Sequence, residues 1–193
     1  MLATNDAIIL SLQPHSDKAH LLHAYTRTGG RINYMVYGLG RKHAIGMYTP
    51  LSHLQITADH SPSKPPTVKE ASVLCPFTFH NSPVKSTIAI FISEVLYHVL
   101  RHPMPDEPMF DFIAQAVIEL ERCETPQNFH LEFLIAFAAK LGFSLPEDSE
   151  LRLLPTTRLE RQKQLRALCA YFEEHVETWQ NPKSLDILIE VFD

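Results

Sequence analysis

Chemistry-bearing residues are densest between Arg27 and His43, where the chain reads RTGGRINYMVYGLGRKH. This stretch holds four of the six glycines, two tyrosines and four of the seventeen Lys/Arg residues. Glycines beside cations suggest a phosphate grip. A nucleotide loop of the G-x-x-x-x-G-K-[ST] type needs a spacing and a hydroxyl that GLGRKH lacks. A dinucleotide turn needs a third glycine where His43 stands, and a helix after it, and neither is present. A strand fits better. Period-two alternation puts Arg31, Asn33, Met35 and Tyr37 on one face and Ile32, Tyr34 and Val36 on the other. The second face is apolar enough for a core. The first offers a guanidinium, an amide and a phenol ring, followed by Arg41, Lys42 and His43. Cations neutralise backbone phosphates and rings stack on bases, so this face suits single-stranded nucleic acid. The plainer reading is a solvated strand face with a polar turn.

Other chemistry is sparse. Glu94, His98 and His102 fall at i, i+4 and i+8 of a helical pattern, but HVLRH lacks the glutamate of a zinc-hydrolase H-E-x-x-H. A zinc hydrolase using His98 and His102 is therefore a rival to be tested by metal analysis. No G-x-S-x-G occurs, and Cys75, Cys123 and Cys169 are scattered among apolar neighbours with no C-x-x-C pair. The acid pairs Asp106-Glu107, Glu147-Asp148 and Glu173-Glu174 read as solvated loop or helix surface. No catalytic site and no cofactor are expected.

The elements that must position the basic stretch change character midway. Ala7–Gln13, His20–Thr26, Arg31–Gly38, Leu51–Ala58 and Thr67–Leu74 are apolar or β-branched runs separated by turn residues, including a Ser/Pro-rich stretch from His60 to Pro66. Gly29-Gly30 marks a hairpin. Five short strands in so few residues suggest a small closed barrel of the OB type. Beyond Asn81-Ser82-Pro83 the period becomes helical. Helices are expected from Pro83 to Pro103, from about Pro108, from Thr125-Pro126 to Gly142, from the capping box Thr157-x-x-Glu160, and over Ser184–Phe192. The fold class is α+β: a five-stranded barrel over 1–75, then an all-α domain over 76–193. Residues 1–72 carry seven basic and four acidic groups, a balance of +3. The remaining ten and eighteen give −8, within a net charge of −5. Nucleic acid is thus expected at the front and protein contacts at the back. No window approaches a membrane span and no signal peptide is evident, so the expected location is the cytoplasm.

The order of pieces resembles the RecO family of bacterial DNA repair and recombination mediators. AIILSLQPHSDKAHLLHAYTRTGGRINYMVYGLGRKH, FISEVLYHVLRHPMPDEPMFDFIAQAVIEL, FHLEFLIAFAAKLGFSLP and NPKSLDILIEVF carry the resemblance in that order. It implies binding of single- and double-stranded DNA, annealing of complementary strands, and loading of RecA together with the partner RecR. It also implies contact with the acidic tail of the single-strand-binding protein. By position it implies DNA contacts at Arg31, Arg41 and Lys42, with Lys18 and Arg27 as neighbours; Tyr37 is added on the stacking argument. For the acidic tail it points to the third helix, where His130 and Lys140 are available. The chain departs from the family in having Asn33 and Tyr37 where cations are usual, no four-cysteine zinc site, and a short section after Gly142. The alternative is a non-catalytic protein-interaction module that has lost DNA binding.

Overall fold

The computed structural model describes residues 1–39, 46–61 and 63–191. Five strands, β1 (Leu2–Ser16), β2 (Ala19–Thr26), β3 (Gly30–Tyr37), β4 (His53–Ser61) and β5 (Lys64–Cys75), close into a barrel in the order β1-β2-β3-β5-β4. These are the five expected runs with shifted ends: β1 and β5 are longer at both ends, β3 begins and ends one residue earlier, and β4 begins two residues later than Leu51 and runs on to Ser61. β1 serves two neighbours: Leu2–Ile8 pairs with β4 and Ala7–Ser16 with β2. A register shift between Ile9 and Ser11 bends it between those roles. Every pairing is antiparallel except β3 with β5, which run parallel through Met35 and Thr67. That is the OB arrangement.

Period-two alternation fills the barrel. Ala7, Ile9, Leu22, Ala24, Tyr34, Val36, Leu54, Ile56 and Ala58 form one buried cluster, with Ile32 packed against it. The inward face of β3 is thus the one its alternation marked. Each fully buried Leu or Ile contributes roughly 1.5–3 kcal/mol. The stretch His60–Pro66 differs in part from expectation: Ser63 is a turn residue, but His60 and Ser61 belong to β4 and Pro65 and Pro66 lie inside β5. They stand where the β4–β5 register shifts between Asp59 and Ser61, a break in the ladder at which a missing N–H costs little.

Among the described residues the α-helices are α1 (Pro83–Val99), α2 (Glu107–Arg122), α3 (Phe129–Lys140), α4 (Arg158–His175) and α5 (Leu185–Val191). Their starts follow local chemistry. Pro83 opens α1 at a position that needs no N–H donor. Thr157 and Glu160 form the capping box of α4: Glu160 N donates to Thr157 Oγ1 at 3.3 Å, and Thr157 N donates to Glu160 Oε2 at 3.0 Å. One expectation needs correction. α1 ends at Val99, four residues before Pro103, where a proline ring would meet the carbonyl of a continuing helix. His102 is therefore not on α1, and the i, i+4 relation with His98 does not exist. Glu94 accepts from Ser184 N at 2.9 Å and Ser184 Oγ at 2.7 Å.

The chain forms two compact units. One comprises Met1–Phe77 with Leu100–Val117, the other Thr78–Val99 with Ile118–Asp193. Chain order and packing group residues differently: a linear division at residue 75 puts 100–117 with the helices, whereas packing puts them with the barrel. In the second unit aromatic rings help fill the core, Phe137 stacking on Phe172 at 6.0 Å and Phe172 meeting Trp179 at a tilt of 36° and 5.1 Å.

Candidate nucleic-acid interface

The β2–β3 hairpin sets where the basic residues stand. Its register pairs Ala19 with Tyr37 at one end and Thr26 with Gly30 at the other. Arg31 and Tyr37 are six residues apart on β3, about 20 Å at strand rise. The cations and ring singled out from sequence therefore do not gather in one place. They divide between two ends of the barrel.

One end is open. Lys18 sits in the two-residue turn between β1 and β2 and is exposed. Next to it, across the Ala19–Tyr37 pair, Tyr37 is 57% exposed, enough to offer a ring face. Gly38 follows with φ +75°, and a Cβ there would meet nothing within 4 Å, while Leu39 after it is buried in the barrel core. Arg41 and Lys42 come a few residues later but lie outside the described residues. The barrel order adds a cation that sequence alone counts without placing. Lys64 and Lys69 are both exposed on β5, which runs parallel to β3 from the Met35–Thr67 pairing, so Lys69 comes level with Tyr37 whereas Lys64 lies toward the Arg31 end. Lys69 also lies near enough to Asp59 to lower that carboxyl's pKa, although the N-terminal ammonium does more. From β2 to β5 is two strand spacings, about 10 Å, well within reach of one polynucleotide backbone.

The other end is covered. Arg27 is held by two carboxylates and a ring. Its Nη1 is 2.8 Å from Asp111 Oδ1, its Nε 3.8 Å from Asp6 Oδ2, and its Cζ 4.5 Å from the centre of the Phe110 ring. Tyr25 stacks on Phe110 at 6.5 Å, and His53 meets the same ring edge-on at 5.7 Å. Arg31 N donates to His102 O at 3.1 Å, and Arg31 Nη1 donates to Leu100 O at 3.4 Å. Gly30 has φ +60°, and a Cβ there would collide with the Met104 carbonyl oxygen and meet His102 O at 2.8 Å. Only glycine admits this close approach. The outward face of β2 is buried in turn. His23 is 5% exposed and its Nδ1 is 2.7 Å from Asn33 Oδ1. Burial lowers the pKa of both His23 and His53; for His23 the Asn33 bond opposes this and Arg31 adds to it, and for His53 Asp6 opposes it and Arg27 adds to it. Burial, then the charge of Asp106, pushes Tyr25 up to about 12. Nothing in local sequence pattern pairs Arg27 with Asp111, which lies on α2 far along the chain.

The residues singled out for an acidic tail stand in the helical unit. Lys140 is exposed at the last position of α3. His130 is 1% exposed, and burial, with Arg161 adding to it, drives its pKa down to about 3. A neutral, embedded imidazole presents no charge to a carboxylate. The apolar neighbours Phe129 and Leu131 were the sequence sign of that burial. The same unit carries an open cleft of about 490 Å³ lined by Leu151, Leu153, Leu154, Pro155 and Lys163 among others, with Leu153 72% exposed. Among the described residues no group of three or more His, Cys, Asp or Glu side chains is placed to hold a metal ion. Nor is any helix of the described residues long and apolar enough to cross a membrane.

Comparison with known proteins gives a consistent result along the chain. The family model described as recombination protein O N terminal matches residues 1–77, and that described as recombination protein O C terminal matches residues 80–159. The DNA repair protein RecO of Phocaeicola vulgatus is 29% identical over 240 residues, with all of both chains covered. That of Porphyromonas gingivalis is 31% identical over 150 residues, covering 74% of this chain and 61% of the relative. That of Flavobacterium johnsoniae is 29% identical over 231 residues, covering 96% and 97%.

Proposed function

This chain belongs to the RecO family, and from that membership we propose that it serves DNA repair and recombination by holding single strands at the open end of its barrel. The observation that carries the reading is the gathering of Lys18, Tyr37 and Lys69 at one end of the adjacent strands β2, β3 and β5. Ammonium groups meet phosphates and the phenol stacks on a base, which leaves base edges free to pair with a second strand. Such binding tolerates any sequence, extends to duplex backbone, and suits annealing. No step needs a catalytic group or a cofactor.

The helical unit, acidic overall, takes the protein contacts: RecR, and the acidic tail of the single-strand-binding protein, whose displacement precedes RecA loading. With His130 buried, the exposed Lys140 is the cation α3 offers to a tail carrying carboxylates; the cleft, lined by Glu150 and Glu160 as well as Lys163, offers apolar walls at Leu153 and Leu154 and no net positive charge.

Fluorescence anisotropy with a single-stranded oligonucleotide tests the reading. The protein binds at low salt, and the Lys18→Ala/Lys69→Ala variant lowers the slope of log affinity against log salt by about 1.4, roughly 0.7 for each phosphate no longer neutralised. Strands coated with single-strand-binding protein then anneal in its presence. No binding at any salt would favour the second reading, a protein-interaction module without DNA affinity. The net charge of −5 and the internal partners of Arg27 and Arg31 are what speak for that alternative.

A further inference from the structure

The covered end of the barrel has the chemistry of the open end but a different occupant. Arg27 is given a carboxylate by Asp111 and a ring face by Phe110. Arg31 is given carbonyl oxygens by His102 and Leu100. An anionic acceptor beside an arginine, with a flat ring stacked on its guanidinium, is also what a nucleotide supplies through its phosphate and base. We propose that Arg27 and Arg31 form a second nucleic-acid subsite, masked by the chain's own residues 100–111, which imitate a bound strand. The inference rests on the reading that the barrel binds DNA, and adds to it a device that limits how much of the barrel a strand occupies.

The covering segment is built to part from the barrel over most of its length. Arg101 to Pro108 are all exposed, and three of those eight residues are prolines that donate no backbone hydrogen bond. Its hold on the strands runs through a few groups: the Arg31 hydrogen bonds, the close approach at Gly30, and the Arg27–Asp111 pair beside the buried Phe110. Asp111 is 63% exposed, so its carboxylate is not required to fill space. With the segment in place, a strand at the open end stops short of Arg27. With it displaced, the same strand reaches both guanidinium groups, about 20 Å further along the hairpin.

A double-mutant cycle in oligonucleotide binding separates this from simple charge removal. Asp111→Asn removes the nearer of Arg27's two carboxylates and leaves Asp6 Oδ2 at 3.8 Å, and the salt slope steepens by up to about 0.7, the value for one further phosphate neutralised, with a rise in affinity at low salt. In an Arg27→Gln background the same Asp111→Asn change gives no rise. Gly30→Ala presses the segment away through its Cβ without altering charge, and it too steepens the slope. Equal rises from Asp111→Asn in both backgrounds would mean only that a surface negative charge was removed, and would overturn the proposal. So would a parent protein that binds DNA while Asp111→Asn and Gly30→Ala leave its slope unchanged. If neither the parent nor any variant binds, the DNA reading itself fails and the masked subsite falls with it.

Discussion

The two ends of the β2–β3 hairpin differ less in residue type than in company. Each has cations and a tyrosine close by: Lys18 with Tyr37 at one end, Arg27 and Arg31 with Tyr25 at the other. At the first, the groups face solvent. At the second, Asp111, Phe110 and the carbonyls of Leu100 and His102 have taken them up. A basic residue in a nucleic-acid-binding barrel is therefore not by itself a DNA ligand. What decides is whether the fold has already supplied its counter-charge, since a paired guanidinium gains little by exchanging one anion for another.

The contrast can be pressed hardest through the rings. Phe110 is fully buried, and Phe110→Ala should cost about 3–5 kcal/mol in denaturant unfolding. Tyr37→Ala, at an exposed position, should stay within about 0.5 kcal/mol of the parent. Equal losses at both sites would mean that the open end is no more open than the other. The glycines at the two ends of β3 give a smaller but sharper contrast. Gly30 and Gly38 both have positive φ, so alanine at either meets backbone strain of about 1–2 kcal/mol. At Gly30 the Met104 carbonyl oxygen is also in the way, and crowding adds about 1–3 kcal/mol. At Gly38 nothing lies near, and strain is the whole effect. The difference between the two variants, read from their unfolding midpoints, measures how firmly residues 102–104 press on the hairpin.

Most of the fold was legible in the sequence because it is written in short-range patterns. Alternation from Arg31 to Tyr37 marked the correct inward face, and Thr157-x-x-Glu160 marked a helix start to the residue. Pro103 signalled a stop, although its steric reach ended α1 at Val99 and so separated His102 from the helix. Candidate-site residues were legible as types and not as neighbours. Arg27 and Asp111 are far apart in sequence, and no periodicity links them. Lys69 entered only as a charge, because its place beside Tyr37 depends on the closing of the barrel. His130 had a positive charge to offer on paper, and a core of aromatic and aliphatic side chains removes it.

Amide hydrogen exchange, with and without a saturating single-stranded oligonucleotide, tests the central claim most directly. It reads both ends of the hairpin in one protein without altering either. The account predicts slowed exchange around Asp17–Ala19, Tyr37–Leu39 and Val68–Glu70, and unchanged exchange at Arg27–Arg31, where the Arg31 amide already bonds His102 O. Protection that appears at Arg27–Arg31 and leaves the Lys18–Tyr37 end untouched would contradict it.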